Sequence, residues 1–140
     1  MTFRIPITVR SYELDSLGHV NHAVYHQYAE VARMSGFQAA GCEWESMRGG
    51  RAAPVLLSTT VNFRRELRAN ESIEVSCEAK FGTGKTFAVD SLITKADGTV
   101  AAEVYCVLGV MDLDERRLFA DPRAVLEAAG FRPEVLASGD

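Results

Sequence analysis

Between residues 21 and about 40 the chain carries a helical pattern that is apolar on nearly every side. Val24, Tyr25, Tyr28, Val31, Ala32 and Ser35 recur at three- and four-residue steps, and Ala23, Ala29, Met34 and Phe37 fill the other directions. A helix lying on a protein surface needs only one apolar stripe, so this pattern predicts burial over most of the circumference. Asn21 suits the N-cap, where a short side-chain oxygen accepts a free backbone N–H. Gly36 and Gly41 mark the fraying end, and Glu30 and Arg33 stand at i,i+3 spacing for an ion pair.

Strand patterns flank this helix. Phe3, Ile5, Ile7 and Val9 alternate with Arg4, Pro6, Thr8 and Arg10, a period of two with one buried face. Pro6 cannot donate to a ladder, which places this strand at an edge. Residues 41–54 read as loop, and four strand patterns follow at 55–65, 73–81, 85–95 and 99–112. A Gly82-Thr83-Gly84 turn and an Asp97-Gly98 hairpin turn make their connections short, which predicts an antiparallel meander. Asp121 as N-cap, Pro122 as first helical residue and Gly130 as terminator predict a short helix near 122–129. The tail from Ser138 to Asp140 is expected to be disordered.

With 140 residues and 47% hydrophobic composition, residues 1–140 read as a single domain that buries roughly 68–70% of its unfolded surface. A helix apolar nearly all round needs more cover than a flat sheet offers. The expected fold is therefore α+β: a hotdog fold, a curled antiparallel sheet wrapped around a long buried central helix. One chain would leave that helix half enclosed, so pairing of two chains is expected. The net charge of −4 argues against nucleic-acid binding, which needs an electropositive footprint, although a local basic cluster can hold a small anion. The N-terminus lacks the apolar core of a signal peptide, and no run reaches the roughly 18 apolar residues of a membrane span. Cys42, Cys77 and Cys106 form no CxxC pair. These features predict a cytoplasmic protein with reduced thiols, no membrane and no zinc site.

The segment from Asp15 to His22 sets a carboxylate, a glycine turn and a helix start within eight residues. That suits acyl transfer: the carboxylate can attack or activate water, and free helix N–H groups can hold an oxyanion. The competing reading makes Asp15 a turn residue bonded to its own backbone. His19, His22 and His26 stand at metal-like steps of three and four, but Gly18 and Asn21 put His19 ahead of the helix, and no second acidic ligand is in register. Arg64, Arg65, Arg68 and Lys85 are candidate phosphate contacts; strand alternation would turn only one of Arg64 and Arg65 toward a given ligand. Trp44 and Met47 are candidates to cap an acyl pocket.

Several blocks resemble the 4-hydroxybenzoyl-coenzyme A thioesterase family of hotdog proteins: Val9-Arg10-Ser11-Tyr12, the Asp15, Gly18, His19, Val20, Asn21, His22 motif, and Tyr25, Tyr28, Glu30, Ala32, Arg33. Val61-Asn62-Phe63, Gly84-Lys85-Thr86 and Asp97-Gly98 add to it. The resemblance spans roughly residues 3–118. It implies hydrolysis of an acyl-CoA to acid and free CoA in a homodimer or homotetramer. The family's catalytic carboxylate falls on Asp15, and the N–H that polarises the thioester carbonyl falls on His22. Tyr25 would line the acyl pocket near the dimer interface, and Lys85 would contact CoA phosphates. His19, Asn21, Phe63 and Thr86 are the further substrate-binding candidates. No metal or cofactor is implied beyond the CoA of the substrate, and an acyl carrier protein is a possible donor. Glu13 and Leu14 stand where some relatives carry an earlier aspartate. Two other readings share the ligand: a hotdog hydratase or dehydratase acting on enoyl-CoA, and a non-catalytic acyl-CoA-binding protein.

Overall fold

In the computed structural model, which describes residues 2–138, strand β1 (Phe3–Thr8) leads through a loop into helix α1 (His22–Ala39). A short helix α2 (Trp44–Gly49) follows, then strands β2 (Ala52–Phe63), β3 (Ser72–Phe81), β4 (Phe87–Lys95), β5 (Val100–Asp112) and β6 (Arg117–Leu118). Helix α3 (Pro122–Ala128) and a 3-10 turn at Pro133–Leu136 complete the order. The last two positions of the expected disordered tail, 139 and 140, lie outside the described residues.

The strands form one antiparallel sheet in the order β1-β3-β4-β5-β2, with β6 pairing β5. It curls around α1, which is the hotdog fold. Alternation decides the faces. Val104, Cys106, Leu108 and Val110 of β5 are buried, while Tyr105 and Val107 between them are exposed. Ile73, Val75, Cys77 and Ala79 of β3 supply the matching buried row, and α1 answers with Tyr25, Tyr28, Ala29, Ala32, Gly36 and Phe37. At Gly36 the helix sits so close to β3 that an added Cβ would lie 3.1 Å from both Cys77 Sγ and Leu136 Cδ2.

The helix limits, the Asn21 cap, the β1 edge position and the Asp97-Gly98 turn are as the sequence predicts. Two expectations are corrected. Residues 41–54 are not all loop, because α2 forms there and buries Met47. The four-strand meander covers only β3, β4 and β5, because β2 pairs β5 at the far edge. The segment 64–71 after β2 crosses to β3 and buries Leu67 completely, so it is a crossover and not a hairpin. The enclosure of α1 is one-sided: Val31 and Met34 are each 49% exposed, on a molecule whose β2 edge also presents Leu56 and Leu57.

Candidate active site

The loop between β1 and α1 is built to present Asp15. Leu14 and Val20 form an isolated antiparallel bridge, the Asp15 N–H donates to His19 O at 2.7 Å, and the Gly18 N–H donates to Asp15 O at 3.1 Å. Gly18 closes this turn at φ +81, a left-handed conformation that glycine adopts without cost. Asp15 Oδ1 accepts from the Leu17 N–H (2.9 Å) and the His19 N–H (3.2 Å). Its other oxygen carries no hydrogen bond among the described residues. The turn role and an available carboxylate oxygen therefore coexist in one side chain.

Helix α1 begins immediately after. Asn21 Oδ1 accepts from the Ala23 N–H at 2.9 Å, so the predicted cap consumes that side chain. The His22 N–H, one residue earlier, has no partner among the described residues. It is one of the orphan donors every helix start leaves, in the positive end of the helix dipole.

These groups open into one cleft of about 330 Å³, lined by Asp15, His19, Val20, His22, Tyr25 and residues 63–66. Tyr25 is 4% exposed and meets Phe63 edge-on, ring centroids 5.1 Å apart, while its hydroxyl donates to Arg65 O at 3.4 Å. His19 Nε2 lies 2.6 Å from Glu66 Oε2, and an Arg68 guanidinium nitrogen lies 2.6 Å from the same oxygen. The Val20 N–H donates to Leu67 O at 2.9 Å. The crossover after β2 thus forms the outer wall.

Of the sequence-derived candidates, Asp15, His19, His22, Tyr25 and Phe63 converge here, and Asn21 stands behind them as the cap. Lys85 and Thr86 do not. They are exposed in the turn before Phe87, which is level with Leu108 and Leu56 in the sheet, whereas Phe63 is level with Ala102. Seven residues of β2 separate those levels, about 20 Å along a strand. The histidines also part: His26 Nδ1 contacts Thr59 Oγ1 at 3.4 Å, away from His19. Arg33 does not pair with Glu30 but turns to Cys106 Sγ at 3.7 Å.

The expectation that only one of Arg64 and Arg65 faces a given ligand is corrected. Arg64 and Arg65 both line the cleft, because β2 ends at Phe63 and strand alternation no longer governs them. Arg64 is paired with Glu103 at 2.8 Å, but among the described residues the Arg65 guanidinium bonds only Arg64 O, at 2.9 Å. Glu66 gave no signal beyond its place in a charged run.

A second, mostly apolar cavity of about 240 Å³ lies beside the other half of α1, lined by Phe37, Trp44, Phe87 and Leu126 with Glu30 and Arg33 among its polar neighbours. Trp44 lines it; Met47 is buried and does not. Cys42 and Cys77 are inert by position, since burial pushes their thiols up to about 11 and about 12. No helix among the described residues is long and apolar enough to cross a membrane.

An open carboxylate oxygen and an unpaired helix-start N–H in one cleft can act together on a carbonyl. The Thioesterase-like superfamily matches residues 9–138, and the chain belongs to it, in the class of thioester hydrolases. Among particular relatives, the chain is 27% identical over 115 residues to the long-chain acyl-CoA thioesterase FadM of Escherichia coli strain K12, covering 81% of this chain and 86% of that protein. The crystal structure of YbaW from Escherichia coli superposes with a TM-score of 0.80 at 26% identity, covering 91% of this chain and 98% of that one. The Staphylococcus aureus protein SAV2348, determined in complex with CoA, superposes at 0.83 with 18% identity, covering 100% of this chain and 88% of that one, a likeness of fold.

Proposed function

We propose that the protein hydrolyses an acyl-CoA thioester to a carboxylic acid and free CoA, with Asp15 as the catalytic carboxylate. The observation that carries this is the pairing of the unbonded Asp15 oxygen with the unbonded His22 N–H in one cleft. The His22 N–H would donate to the thioester carbonyl oxygen, whose negative charge grows as the carbon becomes tetrahedral. Asp15 then acts in one of two ways. As nucleophile it bonds to the acyl carbon, expels the CoA thiolate and leaves a mixed anhydride for water to cleave. As general base it takes a proton from the water that attacks. No cofactor is needed for either route.

Within the superfamily, the motif around Asp15 favours the 4-hydroxybenzoyl-CoA thioesterase branch, while FadM is named as a long-chain acyl-CoA thioesterase. The CoA complex of SAV2348 supports CoA as the carrier. Arg65, free of any carboxylate among the described residues, is the nearest cation for its phosphates.

We further infer that the working unit is a homodimer, or a homotetramer built from it. The outer edge of β2 is twelve residues long and without a strand partner among the described residues, and such an edge is a template for pairing. Antiparallel pairing with the β2 of a second copy, centred on mid-strand, sets the Ala52 end of one, toward which the turn before Phe87 lies, beside the Phe63 end of the other. Lys85 and Thr86 of a second copy would then approach this cleft, supplying what one chain keeps apart.

The deciding experiment measures thiol release from a panel of aryl- and fatty-acyl-CoAs, with wild type and Asp15→Asn. Hydrolysis predicts release by wild type and a fall in kcat on the order of 10²- to 10⁴-fold in the variant, with the fold intact. Near-normal turnover by Asp15→Asn would remove Asp15 from the mechanism. Saturable binding without thiol release would make the protein a carrier, and water addition to an enoyl-CoA would make it a hydratase. Acyl carrier protein thioesters, run in parallel, decide the donor.

A further inference from the structure

Asp15 is aimed by bonds from residue 19. The Asp15 N–H donates to His19 O, and the His19 N–H is one of two donors fixing Asp15 Oδ1. A rotation of the His19 backbone would therefore carry the carboxylate with it. The His19 ring is itself held from outside the loop. Its Nε2 and an Arg68 guanidinium nitrogen both converge on Glu66 Oε2, each at 2.6 Å, and are 3.3 Å from each other. Glu66 and Arg68 together therefore fix the orientation of the ring. Arg68 is in turn anchored, its N–H donating to Glu71 Oε2 at 2.7 Å.

We propose that Glu66 is a positioning residue for Asp15, acting through the His19 ring to hold the carboxylate toward the helix start. This rests on Asp15 being the catalytic carboxylate. The magnitudes separate positioning from structural support. Glu66 and His19 are 47% and 31% exposed, and ion pairs at such exposure add little to stability. The backbone tie from Val20 to Leu67 would keep the loop docked without them. Catalysis is far more sensitive, since a misplacement near 1 Å can cost about 10²-fold in rate.

The test is a double-mutant cycle in kcat with Asp15→Asn, Glu66→Ala and the combined variant, alongside Glu66→Gln and melting curves. The expected result for Glu66→Ala is a kcat lower by on the order of tenfold, with an unchanged KM and a nearly unchanged Tm. Glu66→Gln should recover much of that loss, because its amide keeps a polar group against the His19 ring. In the Asp15→Asn background Glu66→Ala should cost nothing further, since the carboxylate it aims is gone. Wild-type kcat in Glu66→Ala would overturn the proposal. So would an equal fold-loss in both backgrounds, which would mean a general structural role. Full turnover by Asp15→Asn alone would remove both this inference and the reading it rests on, whereas additivity with a dead Asp15→Asn removes only this one.

Discussion

Gly18, Glu13 and Asp15 show how much of this protein is decided by single side chains. Gly18 holds φ +81 with no heavy atom within 4 Å of where a Cβ would stand, so Gly18→Ala meets backbone strain and no clash. A cost of about 1–2 kcal/mol in urea unfolding is expected, together with lower kcat as the turn that presents Asp15 relaxes. Unchanged stability would mean that the turn tolerates residues with a Cβ. Glu13 accepts from the Tyr28 hydroxyl at 2.6 Å and from the Arg10 N–H at 2.9 Å. Burial by itself would raise its pKa, but those bonds and the Arg10 guanidinium hold it below the ordinary glutamate value. A carboxyl depressed by folding contributes stability above its unfolded pKa and loses it as pH falls through the folded one. Glu13→Gln should therefore be less stable than wild type at pH 7, with the gap narrowing below about pH 4; a constant gap from pH 7 to pH 3 would refute it.

At the scale of elements, the starts of α1 and α3 follow from one oxygen each. Asn21 Oδ1 caps α1 through Ala23, and Asp121 Oδ1 caps α3 through the Ala124 N–H at 3.1 Å. Replacing either with Ala should cost about 1 kcal/mol. The two differ in consequence. Asn21→Ala loosens the turn that carries the His22 N–H and should lower kcat, while Asp121→Ala is remote from the cleft and should leave it unchanged. Equal kinetics in the two variants would argue against the helix start as the oxyanion donor. These caps were legible because a cap is local: an acceptor two or three residues before its donor. The crossover 64–71 was not legible. Arg64 and Arg65 look like the end of a strand until the partner of β2 is known, and with it went the role of Glu66.

At the scale of the whole molecule, the β2 edge and the exposed side of α1 lie open together, with Val31, Met34, Leu56 and Leu57 exposed on them. Leu57 is the unpaired residue where the β2–β5 register shifts, and it is 48% exposed on that edge. If two copies join along β2, Leu57→Lys should move the protein to a smaller species in sedimentation velocity and reduce thiol release with it. A wild-type protein sedimenting as a single chain, fully active, would sink the paired arrangement.

By itself the amino-acid sequence determined the periods, the caps, the Asp97-Gly98 turn and the apolar helix that calls for a curled sheet. All of these are interactions within a few residues, or consequences of which face must leave water. Only the tertiary structure decided that β2 lies beside β5, that Glu66 reaches His19, and that Lys85 stands far from Asp15 in one chain. Periodicity says which side of a strand is buried but not which strand is its neighbour, and that choice depends on how the whole sheet closes around α1.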